Sequence, residues 1–166
     1  MGDDAAPYSS HAHSSHAKWP DRDGPARGWR PGTFLGSLAR GTRAELLSRG
    51  ERRAYPPGSA LLNQGDRTFS VYLLLQGAVK IITVSPEGDT ALLAIRSAGD
   101  IVGEMAALEG RPRSATLLAA TPVTAQRILP ADFRAVLRSR PDAAESLQRT
   151  LAHRLRSTVH ERVAQT

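Results

Sequence analysis

The sequence predicts a mostly β fold with flanking helices: a double-stranded β-helix (jelly-roll) barrel, short N-terminal helices and a long C-terminal helix. Short runs of aliphatic and β-branched residues recur between residues 51 and 129, separated by "PPG", "NQGD", "QG", "SPEGD" and "SAGD". Evenly spaced short strands with such turns indicate an antiparallel barrel or jelly roll. A helical apolar period replaces this texture before residue 50 and after residue 130.

Residues 1–30 are rich in Ser, His, Ala, Gly and Pro and show no apolar period. They are expected to form a disordered tail whose removal leaves ligand binding unchanged. His11, His13 and His16 lie there without acidic or cysteine partners, so no metal site is read from them. "TFLGSLARGTRAELLSRG" predicts two short helices: Phe34, Leu35 and Leu38 share a face of the first, Thr42 caps the second, and Gly50 ends it. Strands are expected near 51–55, 60–62, 70–75, 79–84, 91–95, 115–120 and 124–129, within a barrel domain spanning 31–140.

After Pro130, "ADFRAVLRSR" places Phe133, Val136 and Leu137 on one helical face. Pro141 suits the first turn of a longer helix over 141–166, in which Leu147, Leu151, Leu155, Val159 and Val163 recur every four residues. Helical to its end, it would span about 39 Å, too long to be covered by one small barrel. A projecting helix with a narrow apolar seam pairs with its copy, so a homodimer through 142–166 is expected.

The 166 residues suit one domain with a tail, and three Phe and two Trp imply an aliphatic core. The absence of cysteine excludes disulfides, iron–sulfur clusters and thiol catalysis. No run is long enough for a membrane span and no secretory leader opens the chain, so a soluble, cytoplasmic protein is expected. The net charge of +6 is compatible with an acidic ligand or nucleic acid. Charges cancel within residues 1–30, so the excess belongs to the folded part.

"GEMAALEGRPRSAT", residues 103–116, is the least ordinary stretch. It reads either as a surface loop with two solvated charges or as a cradle for a small, anionic, hydroxylated ligand. For the cradle, Gly103 allows close backbone approach, and 105–108 can form one helical turn whose free N–H groups suit an anion. Arg113 can fork two donors onto a phosphate, and Ser114 adds a hydroxyl. Glu104, acceptor-only when ionised, suits ribose hydroxyls on the side away from the phosphate. Phosphate at one end and ribose at the other describe a nucleotide. In the empty cradle Arg113 is expected to be partly solvated, so its loss should barely affect stability. Met105 and Leu108 read as core residues of the short helix.

"GDIVGEMAALEGRPRSATLLA", residues 99–119, resembles the phosphate-binding cassette of cyclic nucleotide-binding domains. "LNQGD", "VYLLLQGAVKI" and "RPDAAESLQRTLAHRLRST" extend the resemblance over roughly 34–166, towards the Crp/Fnr regulators and their dimerisation helix. It implies Glu104 on the ribose 2′-hydroxyl, and Arg113 and Ser114 on the cyclic phosphate with backbone amides near Gly103 and Ala106. Met105 falls inside the same ligand-facing cassette. Thr158 falls where Crp-type proteins read the adenine amino group, while Val159 departs from the Ser or Asn common beside it. The ligand implied is cAMP, with cGMP possible, and no metal. The resemblance implies DNA contact only through a helix-turn-helix module, and none is expected within these 166 residues.

A metal enzyme of the same barrel type needs His and carboxylate ligands on its strands, but all five histidines fall outside the strand region. Serine nucleophile arrangements lack a nearby His. No catalysis is expected. The rival expectation is a stand-alone Crp-like domain that binds no cyclic nucleotide and acts as a dimeric protein-interaction module.

Overall fold

The computed structural model describes residues 28–164, with side chains through residue 158. In chain order the elements are α1 (Arg40–Ser48), β1 (Glu51–Tyr55), β2 (Ala60–Leu62), β3 (Val71–Gln76), β4 (Ala78–Val84) and β5 (Thr90–Ser97). They continue through β6 (Ile101–Val102), α2 (Glu104–Glu109), β7 (Thr116–Ala119), β8 (Val123–Ile128), α3 (Pro130–Ser139) and α4 (Pro141–Ala164). The strands form two four-stranded antiparallel sheets, ordered β1-β8-β3-β6 and β2-β7-β4-β5. The β sandwich with a short N-terminal helix and long C-terminal helices is the fold class expected. Seven of its strands fall where turn residues and alternation put them. The eighth, β6, is two residues long, too short to show an alternation, and is held by pairing with Tyr72 and Leu73 of β3.

β3 explains how the layers join. Its "VYLLL" is buried without interruption because its two faces serve two cores. Val71, Leu73 and Leu75 point to a helical layer containing Phe34, Leu46, Phe133 and Val136. Tyr72 and Leu74 point between the sheets, against Leu62, Val79, Leu117 and Ala125. Alternation therefore survives as alternation between two dry environments.

The N-terminal region differs from expectation in two ways. Residues 31–38 form consecutive turns instead of a helix, although Phe34, Leu35 and Leu38 are buried as expected. The Thr33 hydroxyl takes up the Arg30 carbonyl and accepts from the Gly36 amide, and a Cβ on Gly36 would collide with the Arg30 carbonyl oxygen at 1.8 Å. Side chain–backbone bonds of this kind compete with helix formation. Thr42 is also not a helix cap: it lies inside α1 and donates to Asp142 Oδ1 at 2.8 Å. Asp142 Oδ2 accepts from the Ala39 amide at the α1 N-terminus, so α4 supplies the cap from 103 residues away. Burial pushes the Asp142 carboxyl up, but these two bonds, with those from the Asp142 and Ala143 amides, hold it below its ordinary pKa.

The expected tail of 1–30 also ends too late. Residues 1–27, with His11, His13 and His16, lie outside the described residues, but Trp29 is 7% exposed and belongs to the helical-layer core. Its indole N–H donates to the Leu75 carbonyl and its ring faces the Arg43 guanidinium. Trimming to Pro31 would thus remove a core residue. Trp29→Ala is expected to cost about 3–5 kcal/mol. A thermal melt should show Tm lowered by about 10 °C; an unchanged Tm would place the ring outside the cooperative core.

α4 leaves the barrel along its length. Ala143, Ser146 and Leu147 are buried, Leu151 is half-buried, and Leu155 is 67% exposed. The side chains of Val159 and Val163 lie outside the described ones.

Candidate ligand cavity

The glutamate and arginine of the 103–116 stretch come together on one cavity of about 330 Å³, at the lower end of the 300–1,000 Å³ usual for small-molecule sites. Gly103, Glu104, Met105, Ala106, Arg113 and Ser114 all line it. The solvated-loop alternative does not describe this arrangement: Glu104 is 6% and Arg113 5% exposed.

Gly103 makes the turn from β6 into α2. Its φ of 76° lies in the left-handed region, and a Cβ there would stand 2.9 Å from Arg113 Nη1 and 3.2 Å from the Ser70 carbonyl oxygen. Both conformation and space require glycine. The amides of the first turn of α2 then have no earlier helical carbonyl to meet, and Gly103, Glu104, Met105 and Ala106 of that turn line the cavity. α2 buries Ala106 and Ala107. Met105 and Leu108, expected in the core, are instead 46% and 43% exposed, because in so short a helix the small alanines take the face against the barrel. Met105 thereby becomes part of the cavity wall.

Arg113 is fixed before any ligand arrives. Nη1 donates to the Gly103 carbonyl at 2.8 Å, Nη2 to the Ser70 carbonyl at 2.7 Å, and Nε to Thr68 Oγ1 at 3.3 Å. Its backbone is pinned as well, bonding to Asp66 and Gly65 in the turn after β2. Burial lowers the guanidinium pKa, while Tyr72, Asp66 and Glu104 act against that shift, and the group remains a cation. The expectation of a partly solvated side chain is therefore corrected: backbone carbonyls replace the water. Ser114 is exposed at the cavity wall.

Glu104 is not a free acceptor. Arg154 of α4 donates from Nη1 to Glu104 Oε1 at 2.9 Å and from Nη2 to the Ile101 carbonyl at 2.7 Å. The ion pair is largely dry, with side-chain exposures of 17% for Arg154 and 7% for Glu104. Sequence reading missed Arg154, since nothing in the pattern separates it from the neighbouring arginines of α4. It also missed Arg96, a cavity-lining residue of β5 whose place in "ALLAIRS" carried a signal: a lone cation in an apolar strand. Thr158 is exposed, donates to the Arg154 carbonyl within its own helix, and is not among the residues lining the cavity.

The lining includes four arginines (Arg96, Arg111, Arg113, Arg154) and two glutamates (Glu104, Glu109), beside apolar walls from Leu62, Ile81, Val102 and Leu117. A buried cation at Arg113, the nearby Glu104 carboxylate and an apolar wall suit a ligand with one anionic group, hydroxyls and a flat apolar part. Among the described residues no group of three His, Cys, Asp or Glu side chains could hold a metal ion, and no helix is long and apolar enough to cross a membrane.

Comparison with known proteins gives a consistent picture. Residues 52–140 match the family model described as "Cyclic nucleotide-binding domain". The chain is 34% identical over 110 residues to a cyclic AMP receptor protein of Thermus thermophilus, covering 66% of this chain and 51% of that protein. It is 33% identical over 121 residues to the Pycsar effector protein XpPycTIR of Xanthomonas perforans, covering 72% and 38% respectively. The crystal structure of the Thermus thermophilus catabolite activator protein superposes with a TM-score of 0.69 at 31% identity, covering 77% of this chain and 60% of that one. The chain thus spans about half the length of the first of these relatives and less of the second.

Proposed function

The chain belongs to the cyclic nucleotide-binding domain family, and we propose that it is the cyclic-nucleotide-sensing module of a Crp/Fnr-type transcriptional regulator. The observation that carries this reading is the buried Arg113, held by the Gly103 and Ser70 carbonyls beside Ser114 and the first turn of α2. A guanidinium kept dry at a cavity wall attracts an anion strongly, because little water competes for it. Arg113, Ser114 and the amides near Gly103 and Ala106 take the cyclic phosphate. Glu104 accepts from the ribose 2′-hydroxyl, and Met105 covers the sugar. The names of the Thermus protein and of the Salmonella typhimurium regulator, "cAMP-activated" and 31% identical over 114 residues, favour cAMP as the first ligand to test.

Glu104 also gives the site a route to α4. A ribose hydroxyl on its carboxylate competes with Arg154, so occupancy alters the pair that ties α4 to the barrel. α4 then carries the signal to a second copy, and Thr158 of that copy would meet the base. A DNA-reading module beyond α4 would be the output. The likeness to a protein named as an effector supports a second output for the same sensor, coupling to a partner domain other than a DNA reader.

Isothermal titration with cAMP and cGMP tests the ligand: saturation at one nucleotide per chain is expected, and no heat with either would overturn the reading. The dimer is tested separately. Leu155, at 67% exposed, continues the seam beyond Leu151, which is half-buried against the helical-layer core. Replacing both with Glu is expected to give a monomer in light scattering while ligand binding persists. A wild-type monomer at high micromolar concentration would refute the pairing.

A further inference from the structure

The β5 side of the cavity carries an arginine outside the proposed phosphate and ribose contacts. Arg96 lines the cavity from β5, where its Cα partner on β4 is Val79. Residues opposite one another on antiparallel strands project to the same face. Val79 is fully buried between the sheets, so the Arg96 side chain also turns inward. The phosphate contacts start elsewhere: Arg113 and Ser114 precede β7, and β4 lies between β7 and β5 in the sheet. Two strand spacings, about 10 Å, therefore separate the strand that follows the phosphate grip from the one carrying Arg96. A cyclic mononucleotide anchored at Arg113 presents its base, rather than its only anionic group, on that side. Ile81 and Leu117, in register with each other between the two ends, suit the face of a ring.

Arg has five N–H donors and no acceptor. Guanine shows two adjacent acceptors, O6 and N7, whereas adenine shows the acceptor N7 beside the donor N6 amino group. A donor fork matches the first edge in both positions and meets the second with one opposed donor. We propose that Arg96 reads the O6/N7 edge and makes the cavity selective for a cyclic 6-oxopurine nucleotide, cGMP over cAMP. This inference rests on the cavity being a cyclic nucleotide site and reverses the base expected from Thr158.

The test is titration of the full chain with cGMP, cIMP and cAMP. cIMP retains O6 and N7 but lacks the 2-amino group, so it isolates the edge in question. Wild type should bind cGMP and cIMP alike, each roughly ten-fold to a hundred-fold tighter than cAMP. Arg96→Leu should bring the three affinities together. Arg96→Gln, whose amide offers one donor and one acceptor, should move the preference towards cAMP and keeps a polar group should the leucine variant fold poorly. Arg113→Ala should weaken all three nucleotides by a common factor. A wild-type preference for cAMP, an unchanged cGMP:cAMP ratio in both Arg96 variants, or an equal loss of all three nucleotides in them overturns the base reading and leaves the cyclic nucleotide site standing. Failure of folded wild type to bind any of the three overturns both.

Discussion

Arg113→Ala is expected to weaken cyclic nucleotide binding by roughly thirty-fold to several thousand-fold, corresponding to about 2–5 kcal/mol for the loss of one member of a desolvated charge pair. The same variant should also destabilise the empty protein. Nη1 and Nη2 donate to the Gly103 and Ser70 carbonyls, tying α2's first turn to the start of β3. Charge-assisted bonds of this kind contribute about 1.5–3 kcal/mol each, and the freed carbonyls recover part of that from water entering the vacated space. A net loss of about 2–4 kcal/mol in urea unfolding without ligand is the expected outcome. Arg113→Lys should recover only part of either effect, since one ammonium cannot reach both carbonyls and fork onto a phosphate. If Arg113→Ala binds like wild type, the cavity is not a phosphate site. If binding falls but stability does not, the carbonyl contacts add nothing to the fold and Arg113 serves the ligand alone.

The double role of Arg113 shows where sequence reading stops. Strand positions were legible because turn residues and alternation are local, and even β3, buried on both faces over "VYLLL", was marked by its apolar run between "DRTFS" and "QGA". The binding stretch was legible because Gly103, Glu104, Arg113 and Ser114 sit close in sequence. What pairs across the fold was not legible. Asp142 reaches the N-terminus of α1 over 103 residues, Trp29 reaches Leu75 over 46, and Arg154 reaches Glu104 over 50. Each is a polar or aromatic group whose local context gives no sign of its partner. Met105 and Leu108 were misplaced for the opposite reason: apolar side chains imply burial only when nothing smaller competes for the inner face, and two alanines did.

Glu104→Ala should likewise have two effects, of opposite ranking to those of Arg113. On binding, it removes a sugar contact but also a negative charge near the phosphate, so the loss should be smaller than for Arg113→Ala, on the order of ten-fold. On stability, it strips the partner from an Arg154 guanidinium that is only 17% exposed. Removing one side of a buried pair leaves the other charge uncompensated, and with Arg154 still bonded to the Ile101 carbonyl the cost should be about 1–3 kcal/mol. The double variant Glu104→Ala/Arg154→Ala removes that orphaned charge. It should therefore be more stable than the sum of the single losses predicts, with a coupling of about 0.5–3 kcal/mol by unfolding in urea. Additive losses would mean that the two groups do not sense each other, and the proposed route from ribose through Glu104 and Arg154 to α4 would then have no physical basis. A clear coupling that disappears when saturating nucleotide is present would show ligand and Arg154 competing for one carboxylate, which is what transmission along that route requires.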